Sequence, residues 1–120
     1  MNDLTNTQTY QLLIKVDKPT YIEVGRLGTF VFPAGLYLYT GSARRHIETR
    51  IARHLSSTKK MRWHIDYLLA AEGVHILDVE RFVEAECAVN QRTHGRIVVN
   101  GFGASDCHAG CRSHLKKLDE

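Results

Sequence analysis

The sequence predicts an α/β (α+β) fold: a small, mostly antiparallel sheet flanked by helices, with an inserted β-hairpin. Three observations carry this expectation. Residues 9–16 place Tyr10, Leu12, Ile14 and Val16 on one face of an extended chain. Ile47, Ile51 and Leu55 recur at i, i+4 and i+8, the spacing of an apolar helical stripe. Between these segments, Tyr21 to Val24 and Thr29 to Phe32 flank the turn-forming Gly25-Arg26-Leu27-Gly28.

In chain order, the first strand runs from Thr9 to Val16 and is punctuated by Lys18-Pro19. The hairpin follows, expected to extend the sheet, and Pro33-Ala34-Gly35 breaks the chain again. Leu36 to Thr40 is the next strand, with Tyr37, Tyr39 and Gly41 on one face. A helix from about Arg45 to Leu55 packs on the sheet through Ile47, Ile51 and Leu55, and Ser56-Ser57-Thr58 ends it. A second helix spans Arg62 to Ala71, closed by Gly73. Val74 to Val83 reads as a strand, Glu84 to Arg92 as a helix and Arg96 to Val99 as a last strand. Residues 100–110 read as a loop, with a short tail helix after them.

The 120 residues make one domain, large enough for a core without disulfides or a structural metal. No stretch approaches the roughly 20 apolar residues of a membrane span. Residues 1–9 are polar and lack the apolar core of a signal peptide. The expectation is a cytoplasmic protein with no membrane partner, and the three cysteines are expected to be thiols. Net charge is only +3, but it is unevenly spread. Arg44, Arg45, Arg50, Arg53, Lys59, Lys60 and Arg62 face the single acid Glu48, whereas Glu72, Asp78, Glu80, Glu84 and Glu86 face the single base Arg81. The basic block suits a phosphate backbone, and a solvated helix face is the plainer reading.

The densest chemical signal is Tyr37-Leu38-Tyr39-Thr40-Gly41-Ser42-Ala43, followed by Arg50-Ile51-Ala52-Arg53-His54. A strand ends in glycine, the chain turns, and a helix presents an arginine about two turns in. The guanidinium can grip a phosphate with two donors and does not titrate away. Tyrosines on the strand face can pass a proton or orient water there, or they can simply be half-buried sheet aromatics.

This segment resembles the second half of the GIY-YIG nuclease signature. Tyr39-Thr40-Gly41 matches the second triplet, Arg50 the helix arginine, and His54 recurs four residues on. Gln8-Thr9-Tyr10 stands at the first triplet, where only Tyr10 matches, and the inserted hairpin lengthens the gap between the halves. The chain also resembles a small branch of that superfamily in Trp63-His64-Ile65-Asp66-Tyr67-Leu68, Glu86-Cys87-Ala88, Gly101-Phe102-Gly103-Ala104-Ser105-Asp106-Cys107 and Ser113-His114-Leu115.

The resemblance implies a metal-dependent endonuclease acting on nucleic acid, with DNA the favoured substrate. Glu86 would hold one Mg²⁺ or Mn²⁺, Arg50 would stabilise the phosphate, and Tyr10 would take a proton from water with Tyr39 in support. His54 completes the catalytic set. Gly41, Ser42, Arg44, Arg53, Lys59, Lys60 and His64 are the candidate substrate contacts. Selectivity would come from the site itself or from a targeting protein partner. A catalytically weak nucleic-acid-binding module of the same fold is the alternative. Cys107, Cys111 and His114, spaced Cys-x3-Cys-x2-His, form a less favoured zinc site, and Cys87 is read as core.

Overall fold

Alternating apolar side chains commit the first strand to a buried position, and the sheet is built around it. The computed structural model describes residues 7–43, 45–56, 60–104 and 110–118. Strand β1 (Thr9–Val16) runs between β4 (Gly35–Ser42) and β5 (Val74–Phe82), and β6 (Leu115–Lys117) lies on the far side of β4. The resulting four-stranded sheet has the order β5-β1-β4-β6, and every pairing in it is antiparallel.

The register pairs Tyr10 with Gly41, Leu12 with Tyr39 and Ile14 with Tyr37. Cross-strand partners share a face, so these aromatic and aliphatic side chains meet on one side. Helices α1 (Ile47–Leu55) and α2 (His64–Leu69) supply Ile47, Ile51, Ile65 and Leu68 to the same buried cluster. The opposite face begins at Gln11, whose Nε2 donates to Thr40 Oγ1 at 3.0 Å and to Thr93 Oγ1 at 2.8 Å. Thr93 caps the C-terminus of α3 (Glu86–Arg92), which lies against β1 and β4 on that side. The sheet is thus apolar toward α1 and α2, and more polar toward α3.

The inserted hairpin, β2 (Thr20–Val24) and β3 (Gly28–Phe32), does not extend the main sheet as the sequence suggested. It forms a separate two-stranded sheet closed by the 3₁₀ turn Gly25–Leu27. Pro19 and Pro33 bracket it, and neither can donate a ladder hydrogen bond. The hairpin joins the core by packing: Ile22, Val24 and Phe32 are buried in the shared cluster, and β2 lies against α2.

Three further expectations are corrected. The predicted strand Arg96 to Val99 makes a single bridge, Arg96 to Lys117. Val99 serves the core instead. The tail forms β6, not a short helix, because its backbone completes the ladder beside β4 whereas an isolated helical turn is costly to nucleate. Leu55 is 56 % exposed, and His54 takes its place inward. The reason lies in the hydrogen bond that His54 makes beneath the helix. Among the described residues, no helix is long and apolar enough to cross a membrane.

Candidate active site

The site starts where β1 and β4 end side by side. Tyr10 lies directly opposite Gly41, and its ring crosses over the glycine backbone. A Cβ at Gly41 would stand 2.5 Å from the Tyr10 hydroxyl oxygen, closer than atoms can pack. Gly41, predicted as a substrate contact, is required here for the phenol to fit. The Tyr10 hydroxyl then reaches His54 Nε2 on α1 at 2.6 Å. The Tyr39 ring meets the same imidazole edge-on, with centroids 6.3 Å apart. Tyr10 and Tyr39 therefore face one side and converge on one histidine. Both are buried, Tyr10 to 1 % exposure.

Burial drives the phenols' electrostatics. It pushes the Tyr10 pKa up to about 12, although Arg50 pulls in the other direction, and Glu86 and Asp66 push it further up. Tyr39 is raised well above the ordinary phenol for the same leading reason, with Tyr10, Glu86 and Asp66 adding to it and Arg50 opposing it.

The half-buried rim of the cluster is Ser42, Arg50 and Glu86. Arg50 Nη1 donates to the Ser42 carbonyl at 3.0 Å, and its guanidinium lies 4.5 Å from the Trp63 ring centroid. The Ser42 hydroxyl donates to Glu86 Oε1 at 2.8 Å. Ser42 thus ties the arginine to its main chain and the carboxylate to its side chain. The other carboxylate oxygen, Oε2, lies 2.8 Å from His114 Nδ1.

The remaining predicted contacts divide. Arg53 is engaged inward: Nη1 and Nη2 donate to Asp66 Oδ1 and Oδ2 at 2.9 and 3.1 Å, and Nη2 also donates to the Lys60 carbonyl at 2.7 Å. Asp66 Oδ2 further accepts from the N–H groups of Arg62 and Trp63 at 2.9 and 3.0 Å, the reach-back half of a capping box. Burial raises the Asp66 pKa, but Arg53 and these two N–H groups outweigh it, and the net shift is downward. Arg53 and Arg62 also stack on Trp63, at 4.4 and 5.2 Å, so Trp63, packed against the core, is the hub of an arginine cluster.

His64 Nδ1 accepts from the Gly103 N–H at 2.9 Å, and its ring packs 5.7 Å from that of Phe102. Burial lowers its pKa. Gly103, at φ +67°, would bring a Cβ within 3.0 Å of the Tyr39 ring. His64 therefore supports the loop behind Tyr39. Lys60 is exposed, and Arg44 and Lys59 lie outside the described residues. Glu48, the lone acid of the basic block, pairs with Arg81, the lone base of the acidic block, through two hydrogen bonds of 2.5 and 2.6 Å.

On the α3 side, Cys87, Cys111 and His114 converge, with one potential ligand atom of each within 4.8 Å of the others. Two of these belong to the predicted zinc set, and the third, Cys107, lies outside the described residues. Cys87, read as core, is only partly buried and joins them from α3, far along the chain from the Cys-x3-Cys-x2-His run.

A family model described as domain of unknown function DUF123 matches residues 9–120, a span that holds all these side chains. The chain belongs to the DUF123 family. No curated protein and no solved structure matches the chain.

Proposed function

We propose that this chain is a metal-dependent endonuclease of the GIY-YIG type, hydrolysing phosphodiester bonds in nucleic acid, with DNA as the favoured substrate. The observation that carries the reading is the convergence of Tyr10, Tyr39, Arg50, His54 and Glu86 on the Gly41-Ser42 strand end. They come from β1, β4, α1 and α3, so no local packing rule requires them to meet.

Glu86 suits the single carboxylate of a Mg²⁺ or Mn²⁺ site. Each of its oxygens has one hydrogen-bond contact, to Ser42 or to His114, and a carboxylate offers about four lone-pair positions. Hard cations of this kind are commonly held by one or two carboxylates, water and substrate phosphate. Such an ion, when bound, neutralises charge on the scissile phosphate and leaving oxygen.

Arg50 keeps further guanidinium N–H donors beyond the one on Ser42, and these can hold the phosphate in the transition state. Tyr10, with its pKa near 12, is protonated at neutral pH and is a weak base alone. Its hydroxyl can accept a proton from water while passing its own to His54 Nε2. Tyr39 holds the imidazole edge-on for that exchange. Lys60, with Arg44 and Lys59, contacts flanking phosphates.

One observation favours the alternative, a nucleic-acid-binding module of the same fold: Tyr10 is almost fully buried. Incubation with supercoiled and branched DNA, with Mg²⁺ or Mn²⁺ and with chelator, separates the two. Nicking that requires metal supports the nuclease, and a shifted but intact band supports the binding module.

A further inference from the structure

We propose that Cys87, Cys111 and His114 form a zinc site. Their ligand atoms lie within 4.8 Å of one another before any metal draws them in. Zn–S and Zn–N bonds of about 2.3 and 2.0 Å set tetrahedral ligand separations of roughly 3.5 Å. Small side-chain rotations close that difference. Two sulfurs and an imidazole are soft ligands that favour Zn²⁺ over Mg²⁺ or Mn²⁺, so this site is chemically distinct from Glu86. On binding, each thiol loses its proton to solvent, and the two thiolates neutralise the ion's charge.

The surroundings fit a bound metal. His114 Nδ1 faces Glu86 Oε2 at 2.8 Å and the Thr40 carbonyl at 3.3 Å, so Nε2 is the nitrogen assigned to zinc. A histidine whose other nitrogen meets a carboxylate is the usual outer arrangement of a metal-bound imidazole. Gln91 Nε2 donates to Cys111 Sγ at 3.6 Å, a contact that also suits a thiolate. Three protein ligands leave one position of a tetrahedral zinc to water, and Cys111 itself lines a cleft with Asn90, Gln91, Ile97 and Ser113.

Zinc here would fasten the chain before β6 to α3. Through His114 it would also fix the orientation of Glu86. The site stands on its own geometry, whether or not the chain cleaves nucleic acid.

The test is elemental analysis of protein purified under reducing conditions, followed by cobalt replacement. The expected result is stoichiometric zinc, with tetrahedral d–d bands and thiolate-to-cobalt charge transfer on replacement. Glu86→Gln lowers zinc affinity by about 10–100-fold, as loss of an outer partner does. Cys87→Ser and Cys111→Ser lower it further, with circular dichroism confirming that the fold persists. Reduced wild-type protein that takes up neither zinc nor cobalt overturns the proposal. So does a Cys111→Ser variant that keeps both the zinc and the cobalt bands.

Discussion

The Tyr10 hydroxyl lies 2.6 Å from His54 Nε2, a buried hydrogen bond between the first strand and the helix that follows the fourth. It explains why His54, and not Leu55, turns inward on α1. Under the proposed function this pair moves the proton of the attacking water. Tyr10→Phe should then lower cleavage by about 10²–10⁴-fold while leaving nucleic-acid affinity close to wild type. Single-turnover kinetics and a binding titration check both. Gly41→Ala tests the same pair from below. Its methyl collides with the phenol, so it should cost about 1–3 kcal/mol in urea denaturation and also slow cleavage.

Glu86 is predicted to carry the hard cation. Glu86→Gln keeps the shape and removes the charge. It should abolish Mg²⁺- and Mn²⁺-dependent cleavage while circular dichroism shows the fold retained. Undiminished cleavage by this variant would remove Glu86 from the metal site.

Asp66 is predicted to act through stability. Its carboxylate is buried and holds Arg53 and two backbone N–H groups. Asp66→Ala leaves these donors without their acceptor and should destabilise by about 3 kcal/mol, the low end for a broken buried pair because Arg53 can partly rehydrate. Denaturant titration measures it. A change below roughly 0.5 kcal/mol, typical of surface positions, would contradict the structural assignment.

His64 gives a pH signature. Its folded pKa lies below the ordinary 6.5, so the unfolded chain binds the proton more readily. The stability it contributes is present above pH 6.5 and is lost as pH falls through the lowered folded value. His64→Gln, which does not titrate, should flatten that part of the stability curve. Equal slopes for variant and wild type between neutral pH and the acid side of 6.5 would refute it.

Much of the fold was legible because periodicity reports on faces. Tyr10, Leu12, Ile14 and Val16 alternate, and all four are buried. Ile47 and Ile51 mark the inner face of α1, but a stripe does not tell which neighbour, His54 or Leu55, continues it. That choice depends on a tyrosine hydroxyl 44 positions earlier in the chain. The hairpin strands were legible, whereas their separation from the main sheet rests on long-range packing. In the candidate site, residue types and spacing pointed to Tyr39 and Arg50, and the resemblance to the GIY-YIG nucleases added Tyr10 and Glu86. The double role of Ser42 could not be read, because its two bonds reach α1 and α3 through different atoms. The commitment of Arg53 to Asp66 was hidden for a similar reason: Arg53 was read as a substrate contact, and the carboxylate that holds it lies on another helix.

The most direct test compares wild-type protein with Arg50→Ala on supercoiled DNA at saturating protein, with Mn²⁺ or Mg²⁺ present. Arg50 bonds the Ser42 carbonyl beside Glu86, where it can meet charge that develops on the phosphate. The proposed function predicts metal-dependent nicking by wild type, a loss of about 10²–10³-fold in Arg50→Ala, and little loss of DNA affinity. Arg50→Lys should recover only part of the rate, because a point charge lacks the guanidinium fork. Arg50→Ala cleaving at the wild-type rate, or wild type leaving every nucleic acid intact with either metal, would contradict it.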